Sequence, residues 1–116
     1  MNPGPDLDAE VARKILEVVV IFDSDSGEYQ LRDLSNRKTI PLPPYSTDTA
    51  SAHQLISKYK AAGCTFAINA NPDGTWVVTV QHPQLAGVKF GASGQTLPHA
   101  ICQAILQFNS LFKLSR

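Results

Sequence analysis

The sequence predicts an α+β fold, an antiparallel sheet of at least three strands with helices packed on it in an α/β/α layered arrangement. Three observations carry this expectation. Residues 64–70 and 76–81 alternate apolar and polar side chains with the two-residue period of a half-buried strand, and Asn71-Pro72-Asp73-Gly74 between them is a strong hairpin turn. Before and after this hairpin, apolar residues recur at the three- and four-residue spacing of amphipathic helices. The chain has 116 residues, 43% hydrophobic and 17% charged, which is enough for the core of one domain over residues 1–116 and too apolar for disorder.

Taken in order, residues 1–5 are rich in proline and glycine and read as a frayed tail. Asp6 or Asp8 can cap a first helix over residues 6–18, whose stripe is Leu7, Val11, Ile15 and Val18. The β-branched run Val18–Phe22 either ends that helix or begins a strand. Residues 19–44 are irregular or a hairpin: Ser24-Asp25-Ser26-Gly27 is a turn signal, Tyr29 and Leu31 alternate with polar neighbours, and Pro41, Pro43 and Pro44 force an extended approach.

Residues 46–112 read as helix, three strands, helix. Ser46 or Thr47 is the expected cap of the second helix, with Asp48 in its first turn. Ala52, Leu55, Ile56, Tyr59 and Ala62 form its stripe, and Gly63 ends it in a left-handed conformation. Cys64, Phe66, Ile68, Trp76, Val78, Val80, Val88 and Phe90 make one apolar sheet face for the helices to cover. The opposite face is smaller and more polar, either solvated or partly covered by the first helix and the 19–44 segment. Thr96 caps the last helix, Pro98 is tolerated in its first turn, and Leu97, Ile101, Ala104, Ile105, Phe108, Leu111 and Phe112 are its stripe. Lys113 to Arg116 bring cations to its C-terminal end.

Helix, three strands, helix is also the order of double-stranded-RNA-binding domains, which need basic groups across successive grooves. Here Lys plus Arg and Asp plus Glu are both 10 and the formal net charge is zero. The stretch opening the last helix, Gly94-Gln95-Thr96-Leu97-Pro98-His99, has no Lys or Arg, and the loop between the first two strands of this unit carries Asp73 and no base. Nucleic acid is therefore not an expected partner.

No signal-peptide pattern opens the chain, and the longest apolar run, Val18–Phe22, is far too short to span a bilayer. The expectation is a cytoplasmic protein with Cys64 and Cys102 reduced and buried, although two cysteines permit one disulfide. His99 and Cys102 are three apart on one helix, but a structural zinc wants four ligands, and His53, His82 and Cys64 have no paired spacing. Cys102 among Ile101, Ala104 and Ile105 is a poor nucleophile. Asp23, Asp25 and Glu28 around Gly27 lack the downstream bidentate Glu of a calcium loop. No cofactor motif is present, and neither enzymatic activity nor a metal is expected.

Pro44-Tyr45-Ser46-Thr47-Asp48, Leu97-Pro98-His99-Ala100-Ile101-Cys102 and a helical start like Leu7 to Glu17 together resemble the phage ABA-sandwich domain family, small phage and prophage proteins of α/β/α layers. The resemblance runs from about Leu7 to Phe108, and the long 19–44 segment departs from it. It implies a fold and a phage or prophage origin, with a bacterial host cytoplasm, and it carries over no catalytic residue.

Alternation of strand direction puts the N-termini of the second and third helices at one end of the fold, beside the Pro72–Gly74 turn and the Gly91–Gln95 loop. Ser46, Thr47, Ser93, Thr96 and His99 would line a site there for a small anionic ligand. The simpler account makes Ser46, Thr47 and Thr96 ordinary caps, and Asp48 and Asp73 oppose an anion. The sequence therefore points first to a non-catalytic binding domain with a protein partner or self-association, and second to that anion site.

Overall fold

The computed structural model describes residues 2–16, 18–33, 38–85 and 89–111. Helix α1 is Pro5–Lys14, α2 is Thr49–Ala61 and α3 is Leu97–Leu111. One sheet is formed by β1 (Val19–Asp23), β2 (Glu28–Asp33) and β3 (Lys38–Pro41), the other by β4 (Thr65–Ala70), β5 (Trp76–Gln81) and β6 (Phe90–Gly94). Both are antiparallel and ordered as in the chain. The fold is the expected α+β class, with the expected α-β-β-β-α unit.

α1 is shorter than residues 6–18, and its cap differs from the expected Asp6 or Asp8. Pro5 fixes the first helical φ, and the preceding Gly4 sits at φ 141 as the N-cap. Gly4 is tied down rather than frayed: its N–H donates to Ser46 Oγ at 2.8 Å. The helix ends at Lys14, and the Val18 N–H turns back to Ala12 O at 3.2 Å. Val19 to Asp23 then extend as β1, because the β-branched run favours the pleated conformation.

Of the two readings of residues 19–44, irregular or a hairpin, β1 and β2 form a hairpin, with Val20 opposite Leu31 and Phe22 opposite Tyr29. Gly27 adopts φ 72 and its N–H closes the turn on Asp23 O at 2.7 Å. Sequence reasoning missed β3. Its four residues are too few to show alternation, and its last is Pro41, which is accommodated because β3 is an edge strand.

α2 is capped by Asp48, not by the expected Ser46 or Thr47, and so begins one or two residues later. That carboxylate accepts from Ser51 N–H at 3.0 Å and Ser51 Oγ–H at 2.7 Å. The other boundaries follow the sequence. Gly63 takes φ 101 after α2, and the Asn71–Gly74 turn is closed by Asn71 N–H to Thr75 O at 2.8 Å. Thr96 caps α3, its Oγ1 accepting from His99 N–H at 3.4 Å and its carbonyl from Ala100 N–H at 3.0 Å. A Cβ on Gly94 would come within 2.5 Å of Ala100 N, so only glycine lets β6 turn directly into α3. Val88, placed on the third strand by the sequence, and residues 112–116 lie outside the described residues.

All three helices lie on one side of β4–β6: α3 runs over β5 and β6, and α2 packs on α3 and β4. α1 packs on α3 and, on its other side, on β1 and β2. The buried cluster joins Leu7, Val11 and Ile15 of α1, Leu55, Ile56 and Tyr59 of α2, Val78, Val80 and Phe90 of the sheet, and Ile101, Ile105 and Phe108 of α3. The opposite face of β4–β6 is open: Thr65, Ala67, Asn69, Gly91 and Ser93 are exposed, and Val77 and Thr79 are half-buried. The first helix and the 19–44 segment cover elements on the helix side instead.

Candidate functional site

The helices point the same way. Near their C-termini, Tyr59 of α2 stacks edge-on against Phe108 of α3 with centroids 5.8 Å apart, and its hydroxyl donates to Asn109 Oδ1 at 3.0 Å. Asn109 Nδ2 in turn donates to the carbonyl of Lys14 at 3.1 Å, satisfying one of the unpaired groups at the end of α1. At the opposite end, Gly4 and Asp8 of the α1 start meet Ser46, just before α2. Ala70, Trp76 and Gly94 are in register across the sheet, so the 71–74 turn and the start of α3 share that end too. The shared end expected from strand alternation therefore contains three helix starts, not two.

The residues expected to line it are differently engaged. Ser46 is fully buried: its Oγ–H donates to Asp8 Oδ1 at 2.6 Å, and its N–H donates to the same oxygen at 2.7 Å. His99 is 6% exposed, and its Nδ1 accepts from Gln95 N–H at 3.2 Å. The imidazole thus holds the residue before the Thr96 cap rather than the cap's own N–H, so this is not a full capping box; an accepting Nδ1 assigns the Nε2–H tautomer. Thr47 and Thr96 are exposed at the shared end. Ser93 is exposed on β6, opposite Val77, on the sheet face away from the helices. The structure thus brings Thr47 and Thr96 to an accessible surface, turns Ser46 and His99 inward, and sends Ser93 to another face.

The electrostatics of this end are set by carboxylates. Hydrogen bonds from Ser51 hold Asp48, and hydrogen bonds from Thr75 hold Asp73, below the ordinary carboxylate value of 3.8. Both therefore stay ionised, and both are exposed. Asp8 is the residue that sequence reasoning misassigned. It is 5% exposed, and burial raises its carboxyl, opposed by the two hydrogen bonds from Ser46. Its sequence signal was available: Asp8 lies next to Leu7 and four residues before Ala12, on the buried side of α1, where an acid must find donors.

Cys64 and Cys102 are free and buried. Burial, with Asp8 nearby, pushes the Cys102 thiol up to about 12, so it is not poised as a nucleophile. Among the described residues no group of three His, Cys, Asp or Glu side chains could hold a metal ion. Among the same residues no helix is long and apolar enough to cross a membrane.

The family model described as the phage ABA sandwich domain matches residues 9–106 of this chain. The chain belongs to the phage ABA-sandwich domain family. The match takes in both sheets, α2 and α3 as far as Leu106, so the 19–44 segment that departs from the resembling motifs falls within it. No curated protein and no solved structure matches the chain.

Proposed function

We propose that this ABA-sandwich chain is a non-catalytic, phage- or prophage-derived binding domain that acts by contact with protein, either a partner or another copy of itself. The observation that carries this reading is the apolar surface left uncovered on its sheets. Phe22 is 54% and Ile40 49% exposed, on the same face of β1–β3 as buried Leu31, and among the described residues α1 packs chiefly on β1 and β2 of that sheet. Ile68 on β4 is 40% exposed. Burying such side chains against protein returns about 25 cal/mol per Å² of apolar surface, and Phe22 and Ile40 share their sheet face with Tyr29 and Leu31 of the strand between them. The interior supports the same reading, since its polar groups serve caps and ties. A cytoplasmic setting in a bacterial host belongs to this reading, and the two buried free thiols support it.

The test compares affinity capture by the wild type and by a Phe22→Asp/Ile40→Asp variant, with light scattering on both. A protein retained by the wild type and lost from the variant is the expected result for a partner; a mass above one chain is the expected result for self-association. A chain that stays monomeric and retains nothing overturns the reading.

A small anion at the shared helix N-termini stands second. The convergence of three helix starts favours it; ionised Asp48 and Asp73, and the commitment of Ser46 and His99, oppose it. Titration with inorganic phosphate, read by thermal shift, checks it: a saturable rise in Tm that Thr96→Ala removes is expected, and no rise eliminates the site.

A further inference from the structure

Each sheet ends in two edge strands, and proteins normally blunt such edges with charges, prolines or short length to prevent chain-to-chain pairing. Three of the four edges here are blunted. β1 carries Asp23, β3 is four residues long with Lys38 and Pro41, and β6 is five residues long with two glycines. β4, Thr65-Phe66-Ala67-Ile68-Asn69-Ala70, has six residues and no charge, proline or glycine, and its last four residues are exposed.

We propose, resting on the binding reading above, that β4 is the self-association surface: two copies pair their β4 strands antiparallel about a two-fold axis through Ala67, making a continuous six-stranded sheet. An axis perpendicular to the sheet keeps each side chain on its own face, so it must pass through a residue position. Centred on Ala67, the pairing sets Phe66 against Ile68 of the second copy on the helix side and Thr65 against Asn69 on the open side. Apolar meets apolar and polar meets polar, and the exposed Ile68 is covered. Centring on Ile68 instead opposes Ala67 to Asn69 and Phe66 to Ala70, which is less complementary.

Charge selects the second copy as the occupant. α2 packs on β4 and α3, while α3 lies over β5 and β6, so α2 is the helix nearest this edge. α2 begins at Asp48 and carries Lys58 and Lys60 in its last turn, all exposed. The two-fold axis lays the two α2 helices antiparallel. Each Asp48 end, together with Asp73 of the adjacent turn, then falls on the side of the partner copy's lysine end. β4 itself adds no like-charge repulsion.

Light scattering on the purified chain is expected to give twice the 12.6 kDa of one chain. Ala67→Lys and Ala67→Glu each place like charges directly across the axis on an exposed face, and each alone is expected to be monomeric and folded by circular dichroism. An equimolar mixture of the two is expected to recover the doubled mass. A wild type that stays monomeric at its highest soluble concentration overturns the pairing but leaves binding to another protein standing. A dimer indifferent to both charges moves self-association to a different surface and likewise overturns β4 pairing. Variants that stay monomeric when mixed overturn the Ala67 register.

Discussion

Replacing Phe108 by Ala is expected to destabilise the fold by about 3–5 kcal/mol, the range for removing a fully buried phenyl ring. Phe108 is 0% exposed and joins three elements. Its ring meets Tyr59 of α2 edge-on at 5.8 Å and Phe90 of β6 edge-on at 5.3 Å, with interplanar angles of 77° and 87°. Edge-on pairs add about 0.5–1.5 kcal/mol beyond area burial, and two of them end on this one ring. The neighbours cannot close the space cheaply, because Tyr59 is held by its hydroxyl on Asn109 and Phe90 by its pairing with Val80. Total stabilities of small domains are about 5–15 kcal/mol, so this loss takes a large part of the whole. Urea denaturation reads it as a fall in the midpoint with an unchanged slope. Ile68→Ala, at a side chain 40% exposed, is the comparison and is expected to cost far less. A Phe108→Ala midpoint close to that of Ile68→Ala would show that Phe108 does not knit these elements together.

Phe108 was also among the easiest residues to place from sequence, as were its neighbours on α3. Fifteen residues with an apolar stripe repeat the helical period often enough to fix the buried face. The β4–β5 hairpin was as plain, because period-two alternation on both sides of Asn71–Gly74 leaves no other register that buries Val78 and Val80. What the sequence concealed was short or decided at a distance. β3 has too few residues to show a period. The shift of one or two residues in the start of α2 turns on which of Ser46, Thr47 and Asp48 caps it, and all three are good capping residues. Ser46 is spent elsewhere: its hydroxyl and N–H are claimed by Asp8, 38 residues away. The same long-range pair redefined the candidate site, since it withdrew Ser46 into the interior. Strand alternation could locate the end of the fold where helices begin; it could not say which hydroxyls at that end face water.

Asp8→Ala is expected to destabilise by about 1–3 kcal/mol, the cost of one buried donor left unpaired, because it strands the Ser46 N–H and leaves the Ser46 hydroxyl only the Gly4 carbonyl, at 3.3 Å, as an acceptor. The single oxygen Oδ1 accepts both, at 2.7 and 2.6 Å, and the Ser46 hydroxyl also accepts from Gly4 N–H, so the pair fixes the start of α1 to the turn before α2. Asp8→Asn keeps an accepting oxygen and is expected to lose less. The two variants separate further with pH. Burial is the dominant cause holding the Asp8 carboxyl above its ordinary value of 3.8 in the folded chain. The folded state therefore keeps this proton to higher pH than the unfolded state does. The stability that this contributes is complete below pH 3.8 and is lost as pH rises through the folded value. Asn carries no such proton, so the stability of the wild type relative to Asp8→Asn is expected to be greatest in acid and to shrink as pH rises from about 3.8. Chemical denaturation of both proteins across that range measures the difference directly. A difference that grows with pH would mean that the Ser46 hydrogen bonds outweigh desolvation and that the ionised carboxylate is the form the fold prefers.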